Sequence, residues 1–534
     1  MDDGTERIEA PFFGTGNYFR THYKSQLPQI QLQAPQRLHE FVVGDHLELS
    51  LRGYLELVLA NNTELAIQKL TIETPRNAIT RSLARFDPTV SSSFRSTRNL
   101  RPTSDQLEGA QELNTLGQPL DFSYDQSLDT GTSYSIGFDG FKNSTNSQFA
   151  TVNPSIDAGM NFSVSQSLMR NRGRRVNRLT VMVAQTRFKQ SRYDLQNQIL
   201  GILSFAENTY WALIEARENL RVSRESLELN ETLLKRAERE LELGAISPLD
   251  IYQPQQNRAA AEIFVTQAIY RLAQAEDALR RQIGADLDPD FQNMPIELTE
   301  PVLPPEDDEE IDPEAMVEFA YKSRPDLMSV AQNIAIDELN YDVAKNDLRP
   351  DLSFGLFYSS KGLGGNVAEF DDATPPNLIG VVPGGLGDAL RQVWGFDFPT
   401  YGFSLTLRLP IRDRRAVANL ADAAVSKRLD TLRIRQAEQD VRLEVLNAVN
   451  QLESSKARVK LSQTQLDFSE KRLEAEQKKY DLGVTTIFLL IQAQNDLTSA
   501  QSDLVTQASG YRRSLTRLLQ VTARLLEERG VVVQ

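Results

Sequence analysis

Residues 414 to 483 contain no proline, and no glycine before the final position. A run of that kind folds as one helix roughly 100 Å long at about 1.5 Å per residue, a length that no compact domain requires. Val445, Leu452, Val459, Leu466, Leu473 and Tyr480 recur in it every seven residues, the spacing of supercoiled helices. A second row passes through Leu461, Phe468, Ala475 and Leu482. It lies two positions from the first, which at roughly 100° per residue is nearly the opposite face, so the helix is expected to have packing neighbours on two sides.

The helix occurs twice. Subtracting 239 from each number gives Ala206, Leu213, Leu220, Leu227, Leu234 and Leu241 in the first row and Val222, Leu229, Arg236 and Leu243 in the second. Arg236 is the one polar break in these rows. Both copies end alike, in Leu243-Gly244 and Leu482-Gly483, where glycine suits a left-handed C-terminal cap better than a helix interior. A duplication this long overrides the several ordinary domains that 534 residues would otherwise suggest.

Composition narrows the partners. A net charge of −15 gives no basic face for phosphates and argues against a nucleic-acid binder. The absence of cysteine excludes thiolate metal sites and disulfides and is compatible with export. No run of eighteen apolar residues exists, so no helix spans a bilayer, yet β-barrel strands would escape that test. The stretch Met1-Asp2-Asp3-Gly4-Thr5-Glu6 lacks the basic and apolar regions of a secretory signal, so either a signal has been removed or the chain is not exported.

Residues 1–46 read as an extended arm holding His22, His39 and His46, in which no carboxylate or cysteine completes a metal-ligand spacing. Residues 47–285 form the first repeat and 314–520 the second. An acidic, proline-rich linker at 286–313 carries Glu306-Asp307-Asp308-Glu309-Glu310, and 521–534 form a tail. Each repeat opens with a short helix and then a longer one, the first with Thr63 as its expected N-cap. The longer helices stop at Pro88 and Pro350, and the spacing from Leu65 to Pro88 equals that from Leu327 to Pro350.

After each proline the period changes to two. Strands are expected at about 88–98 and 155–168, then at about 351–359 and 400–410. The clearest are Tyr401, Phe403, Leu405, Leu407 and Leu409 alternating with Gly402, Ser404, Thr406 and Arg408, and Ile156, Ala158, Met160, Phe162 and Val164 alternating with Asp157, Gly159, Asn161, Ser163 and Ser165, whereas Phe357 blurs the third strand. Such lengths suit tilted membrane strands. The stretches 102–118 and 361–399 read as loops with room for a small hairpin, and the first half carries 23 extra residues hereabouts. The long helices follow at about 174–243 and 414–482, with tips at 243–248 and 482–486, then return helices at about 248–283 and 487–519. The fold class is mostly α with transmembrane β, in two repeats of helix, strand, strand, long helix and helix.

Nothing in this pattern converges on catalysis, and the chain reads as no enzyme and without a cofactor or metal. Gly362-Leu363-Gly364-Gly365 fits neither a dinucleotide nor a phosphate loop and reads as a flexible one. At the first tip Ser247 is expected to cap the return helix, with Pro248 at its first position and Asp250 favouring its dipole. The second tip has Thr486-Ile487-Phe488-Leu489 and lacks the acid.

The paired openings Asn62-Thr63-Glu64-Leu65 and Arg324-Pro325-Asp326-Leu327, the helix-proline-strand junctions, Gln166-Ser167-Leu168 and Leu409-Pro410-Ile411 before the long helices, and the two tips together resemble the outer membrane efflux protein family typified by TolC. The resemblance covers roughly residues 47–520. It implies a homotrimer whose 12-stranded outer-membrane barrel takes four strands per chain and continues as a periplasmic coiled-coil helical tube. It implies a passive duct for efflux or type I secretion, working with a periplasmic adaptor and an inner-membrane pump, in contact with outer-membrane lipid and not with nucleic acid. It also implies a periplasmic entrance gate at Asp250, Tyr480 and Asp481, and adaptor docking at Leu243, Gly244, Leu482 and Gly483. Thr485, Leu489 and Gln492 depart from the charged residues that the family often places there. The rival reading is a structural periplasmic coiled coil or adaptor without channel activity. An adaptor, however, has one helical hairpin, whereas two hairpins alternate here with barrel-length strands.

Overall fold

The computed structural model describes residue 18 and residues 35–103, 109–304, 311–371 and 378–530. His22, most of the expected arm, the acidic run 306–310 and the last four residues of the tail lie outside the described residues. In chain order the strands are β1 (Val42–Val43), β2 (His46–Leu49), β3 (Thr89–Phe94), β4 (Thr97–Pro102), β5 (Glu112–Ser127), β6 (Thr132–Thr145), β7 (Val152–Ser167), β8 (Ile296–Leu298), β9 (Asp351–Phe370), β10 (Leu378–Val382) and β11 (Pro399–Arg408). The long helices are Leu179–Glu242 and Arg414–Asp481, and the return helices Tyr252–Gln282 and Ile487–Val521. None of the described helices is long and apolar enough to cross a membrane. The chain divides into two compact units, and both long helices contribute to each.

The first unit comprises 192–328 and 435–534 together with the chain up to Thr71. Its main core gathers Leu47, Leu49, Tyr54, Leu55, Leu203, Tyr210, Trp211, Leu279 and Leu525, and a second core lies around Val317, Val445, Ala448, Leu452 and Leu518. The heptad rows divide accordingly. Ala206, Leu213, Leu220, Val445 and Leu452 are buried, whereas Leu461, Phe468 and Leu482 of the other row are exposed and Val222 of that row is buried.

Three expectations change in this unit. The last residues of the arm are structured, because β2 pairs antiparallel with β1 and parallel with β8, and β8 comes from the expected linker. Leu38, Leu47, Leu49 and Phe291 explain the ordering: all are buried in the main core, and His39 meets Phe291 edge-on at 4.8 Å. The tail packs too, with Leu525 1% exposed in the short helix Leu525–Glu528. The helix Thr63–Thr71 is capped by Asn62 and not Thr63, since Asn62 Oδ1 accepts the Leu65 N–H at 3.0 Å.

The second unit comprises Ile72–Ser191 and Ser329–Ile434. Among the described residues its sheet holds eight strands in six positions, because β3 and β4 lie end to end against one side of β5, and β11 and β10 likewise against β9. The order is β3/β4, β5, β6, β7, β9, β11/β10, and every pairing is antiparallel. This is wider than the four strands per chain that the resemblance implies. Most of the stretch expected as loop between the first two strands forms β5 and β6, of 16 and 14 residues. Their alternation is interrupted by glycine, serine and aspartate, so that only Phe122/Tyr124 and Tyr134/Ile136/Phe138 carry a signal in the sequence.

The faces separate along most of the sheet. Val90, Tyr124, Ile136, Phe162, Tyr358 and Tyr401 align across all six positions, and the adjacent row is Ser91, Ser123, Gly137, Asn161, Ser359 and Thr400. One face is therefore aromatic and aliphatic and the other small and polar. Phe357 falls on the polar face opposite Gly402, whose missing Cβ leaves room for the phenyl ring.

Most of the described part of 361–399 is not loop either. β9 runs on through Gly362 and Gly364, and the helix Leu386–Gly395 lies against it, burying Ala389 and Val393 beside Ala158 on the apolar face. A Cβ on Gly362 would strike the Ala389 carbonyl oxygen, and one on Gly364 that of Gly385. These glycines mark a close approach inside a strand rather than flexibility. Trp394, Phe396 and Phe398 at the end of that helix remain exposed.

Candidate functional site

Each long helix ends in the same hydrogen-bonded turn. Gly244 N donates to Leu241 O at 2.9 Å and Ala245 N to Glu240 O at 2.8 Å, while Gly483 N donates to Tyr480 O at 2.9 Å and Val484 N to Lys479 O at 2.9 Å. This is the Schellman pattern, which needs a left-handed residue after the helix. Gly244 and Gly483 supply it with φ of 74° and 72°, and an added Cβ would meet nothing within 4 Å at either. The constraint on both glycines is thus conformational and not steric. Leu243 and Leu482 stand 78% and 79% exposed, two apolar side chains held out by rigid turns.

Behind the tips the two long helices are joined by charge. Arg236 Nη1 donates to Asp481 Oδ1 at 2.7 Å and Arg236 Nε to Glu240 Oε1 at 2.9 Å. The Tyr480 hydroxyl donates to Glu240 Oε2 at 2.5 Å, and the Arg236 guanidinium lies 4.7 Å from the centre of the Tyr480 ring. Burial and then the bond to Glu240 push the Tyr480 hydroxyl up from its ordinary pKa, which keeps it a donor. The bond from Arg236 holds Asp481 below the usual carboxylate range despite some desolvation. Leu473 and Tyr480 of one long helix pack beside Leu233 of the other, together with Leu490 and Ile491 of the second return helix.

Of the sequence-predicted gate residues, Tyr480 and Asp481 belong to this cluster, and Asp250 holds a different post. Asp250 Oδ2 accepts the Ser247 N–H at 3.1 Å and Ser247 Oγ the Leu249 N–H at 3.3 Å. The acid closes the connecting turn, and its charge reaches Tyr480 only as a minor influence. The regular return helix starts at Tyr252, four residues later than Pro248. Pro254 has no N–H to bond the Asp250 carbonyl, so the helix places it in its first turn. The sequence reading grouped Asp250, Tyr480 and Asp481 but missed Arg236 and Glu240, the residues that Asp481 and Tyr480 bond. The available signals were Arg236 as the polar break in the second row and Glu240 four residues on, on the same helix face.

The polar face of the sheet in the second unit forms a hollow of about 640 Å³, lined by Asp125, Ser135, Ser163, Ser165, Ser353 and Thr406 among others. Arg85 and Asp87 join these small hydroxyls and the Asp125 carboxylate in the lining, which draws on several strands. No group of three or more potential metal ligands occurs among the described residues.

A family model described as outer membrane efflux protein matches residues 128–285 and 317–524, one segment in each repeat. No curated protein is similar enough in sequence to match the chain. Among solved structures, the CmeC outer membrane channel of Campylobacter jejuni superposes with a TM-score of 0.60 at 16% identity, over 89% of this chain and 86% of that one. The outer membrane protein VceC of Vibrio cholerae gives 0.59 at 13% identity, over 88% and 95%. The open state of the MtrE outer membrane channel of Neisseria gonorrhoeae gives 0.58 at 15% identity, over 93% and 98%. At these identities the likeness is one of fold.

Proposed function

The chain belongs to the outer membrane efflux protein family, and from that premise we propose that it is the outer membrane channel of a tripartite efflux or type I secretion system. It acts as a passive homotrimeric duct in the bacterial outer membrane, with its helices extending into the periplasm. The observation that carries this reading is the two-faced sheet, whose apolar row crosses every strand position and whose opposite face is small and polar. Lipid on one side and a watery lumen on the other account for both faces. A sheet with open edges is excluded from a bilayer because each unpaired backbone group there would go unsatisfied, so the edges must meet other copies. The exposed row of Leu461 and Phe468 gives the helices a matching face for a neighbouring copy. The rival reading, a periplasmic coiled coil or adaptor, has no use for such a sheet. The duct supplies a path, while a partner pump and a periplasmic adaptor supply energy and a sealed connection. The test is reconstitution of the purified protein in planar bilayers, with native mass spectrometry of the same sample. Trimers with discrete conductance steps are expected, and a folded monomer without conductance would refute the reading.

In this reading the Schellman tips, with Leu243, Gly244, Leu482 and Gly483, are the adaptor-docking surface. The cluster of Arg236, Glu240, Tyr480 and Asp481 restrains the periplasmic entrance, with Asp250 shaping the adjoining turn. A β-branched residue in the left-handed region costs about 1–2 kcal/mol. Gly244→Val and Gly483→Val are therefore expected to distort the tips and weaken adaptor binding by roughly tenfold. Thermal stability should change little, since both tips are exposed. Adaptor titration by surface plasmon resonance checks this, and unaltered affinity in both variants would move docking elsewhere.

A further inference from the structure

We propose that three copies of this chain close an eighteen-stranded barrel, six strands from each, in place of the twelve-stranded wall that the resemblance implies. The β11/β10 edge of one copy pairs with the β3/β4 edge of the next. The inference rests on the trimeric channel reading and deepens it by setting the width of the conduit.

The added element is the β5–β6 hairpin, and three observations put it in the wall rather than above it. It is inserted between β3/β4 and β7, with 13 paired positions between β5 and β6 and 12 between β6 and β7, more than the roughly 9–11 residues that a tilted strand needs to cross the hydrocarbon. Its turn lies at the end where the strands meet the helices, since Ser167 N donates to Gly131 O at 3.1 Å, Gly173 N donates to Thr130 O at 3.0 Å, and Arg174 pairs with Asp129. It also carries the same alternation as its neighbours, with Phe122, Tyr124, Ile136 and Phe138 on the apolar face and Ser123, Ser135 and Gly137 on the other. A hairpin projecting into water would expose those aromatics without lipid to receive them.

The sheet edges fit the same closure. Six antiparallel positions make the outermost strands run in opposite directions, so the edge of one copy meets that of the next antiparallel. An odd number would force a parallel joint. The first repeat supplies four positions and the second two, so the surplus lies wholly in the first. Barrel diameter grows roughly linearly with strand number, which makes this conduit about 1.5 times as wide as a twelve-stranded one and suits bulkier cargo.

The natural chain has no cysteine, so paired cysteines on the polar face report strand neighbours without background. Ser91→Cys/Ser123→Cys joins neighbours whose hydroxyls are 2.8 Å apart and should form a disulfide within one chain. Ser91→Cys/Ser163→Cys spans three strand spacings, about 14 Å, twice the reach of a disulfide at about 7 Å between Cα atoms, and should stay reduced. Ser91→Cys combined in turn with Thr400→Cys, Ser404→Cys and Thr406→Cys should give covalent trimers on a non-reducing gel for at least one of the three. An electron cryo-microscopy map of the trimer should show eighteen staves. A Ser91–Ser163 crosslink or a map with twelve staves would overturn the proposal while leaving the trimeric channel standing, as would native trimers in which no β11 position links. Native monomers would overturn the channel reading itself.

Discussion

Arg529→Ala is expected to destabilise the protein by about 3–5 kcal/mol, the usual consequence of stranding one member of a buried ion pair. Its partner Glu207 is 0% exposed in the middle of the first long helix. Arg529 grips that carboxylate through two nitrogens, one of them Nε at 3.1 Å from Oε2. Thr516 Oγ1 at 2.8 Å and Trp211 Nε1 at 3.3 Å are its other donors. Once the guanidinium is gone, two neutral donors must hold a full negative charge away from water. Burying an unpaired charge is among the few single changes large enough to threaten a marginally stable fold. The double variant Glu207→Leu/Arg529→Leu should recover much of the loss, because apolar replacement of a whole buried pair is often close to neutral. Thermal unfolding of the detergent-solubilised protein decides the matter. An Arg529→Ala midpoint equal to the parent's would show that the pair does not hold the C-terminal segment down.

The second large effect concerns the entrance proposed at the helix tips. Arg236→Ala/Tyr480→Phe removes the cation over the tyrosine ring, worth about 0.5–1 kcal/mol at a partly exposed site, and the hydroxyl bonded to a carboxylate, worth about 1.5–3 kcal/mol when desolvated. Tyr480 is only half-buried, so the combined loss should fall near the lower end, about 2 kcal/mol or roughly a thirtyfold shift toward the conducting state in each copy. Single-channel recordings of the double variant should show longer and more frequent openings than the parent. Asp250→Ala, which frees only the Ser247 N–H, should resemble the parent. If Asp250→Ala opens the channel as much as the double variant, the restraint belongs to the turn and not to the cluster. The pH dependence has a definite sign. Asp481 has a depressed pKa in the folded protein through its bond to Arg236, so its contribution is complete above the ordinary carboxylate pKa. It fades only as pH falls through the lower folded value, and acidification of that depth should loosen the tips while neutral-range changes should not.

How far each part could be read in advance follows from the range of the interactions involved. The heptads of Val445 to Tyr480 and their copy 239 residues earlier could be read directly, because helix periodicity is local and repeats. Gly244 and Gly483 were legible as caps because only glycine enters the left-handed region freely. The strand through Tyr401 alternated strongly enough to be placed within a few residues at both ends, whereas the strand after Pro350, blurred by Phe357, was placed at its start only and runs on to Phe370. The β5 and β6 strands alternate too weakly for that, since serine, glycine and aspartate fill their polar face and only a few aromatics mark the other. Gly362 and Gly364 looked like a loop because a glycine that admits a packed helix and a glycine that bends freely are the same letter.

The sequence by itself therefore determined the duplication, the long helices, their capped ends and the existence of two-faced strands, all properties of residues within a few turns of one another. Only the tertiary structure decided that the sheet is six positions wide, that Arg236 and Glu240 rather than Asp250 hold Tyr480 and Asp481, and that Arg529 reaches Glu207 across 322 residues of chain. Pairings of that kind depend on which surfaces meet after the chain has collapsed, and no period or local propensity in the sequence encodes the meeting.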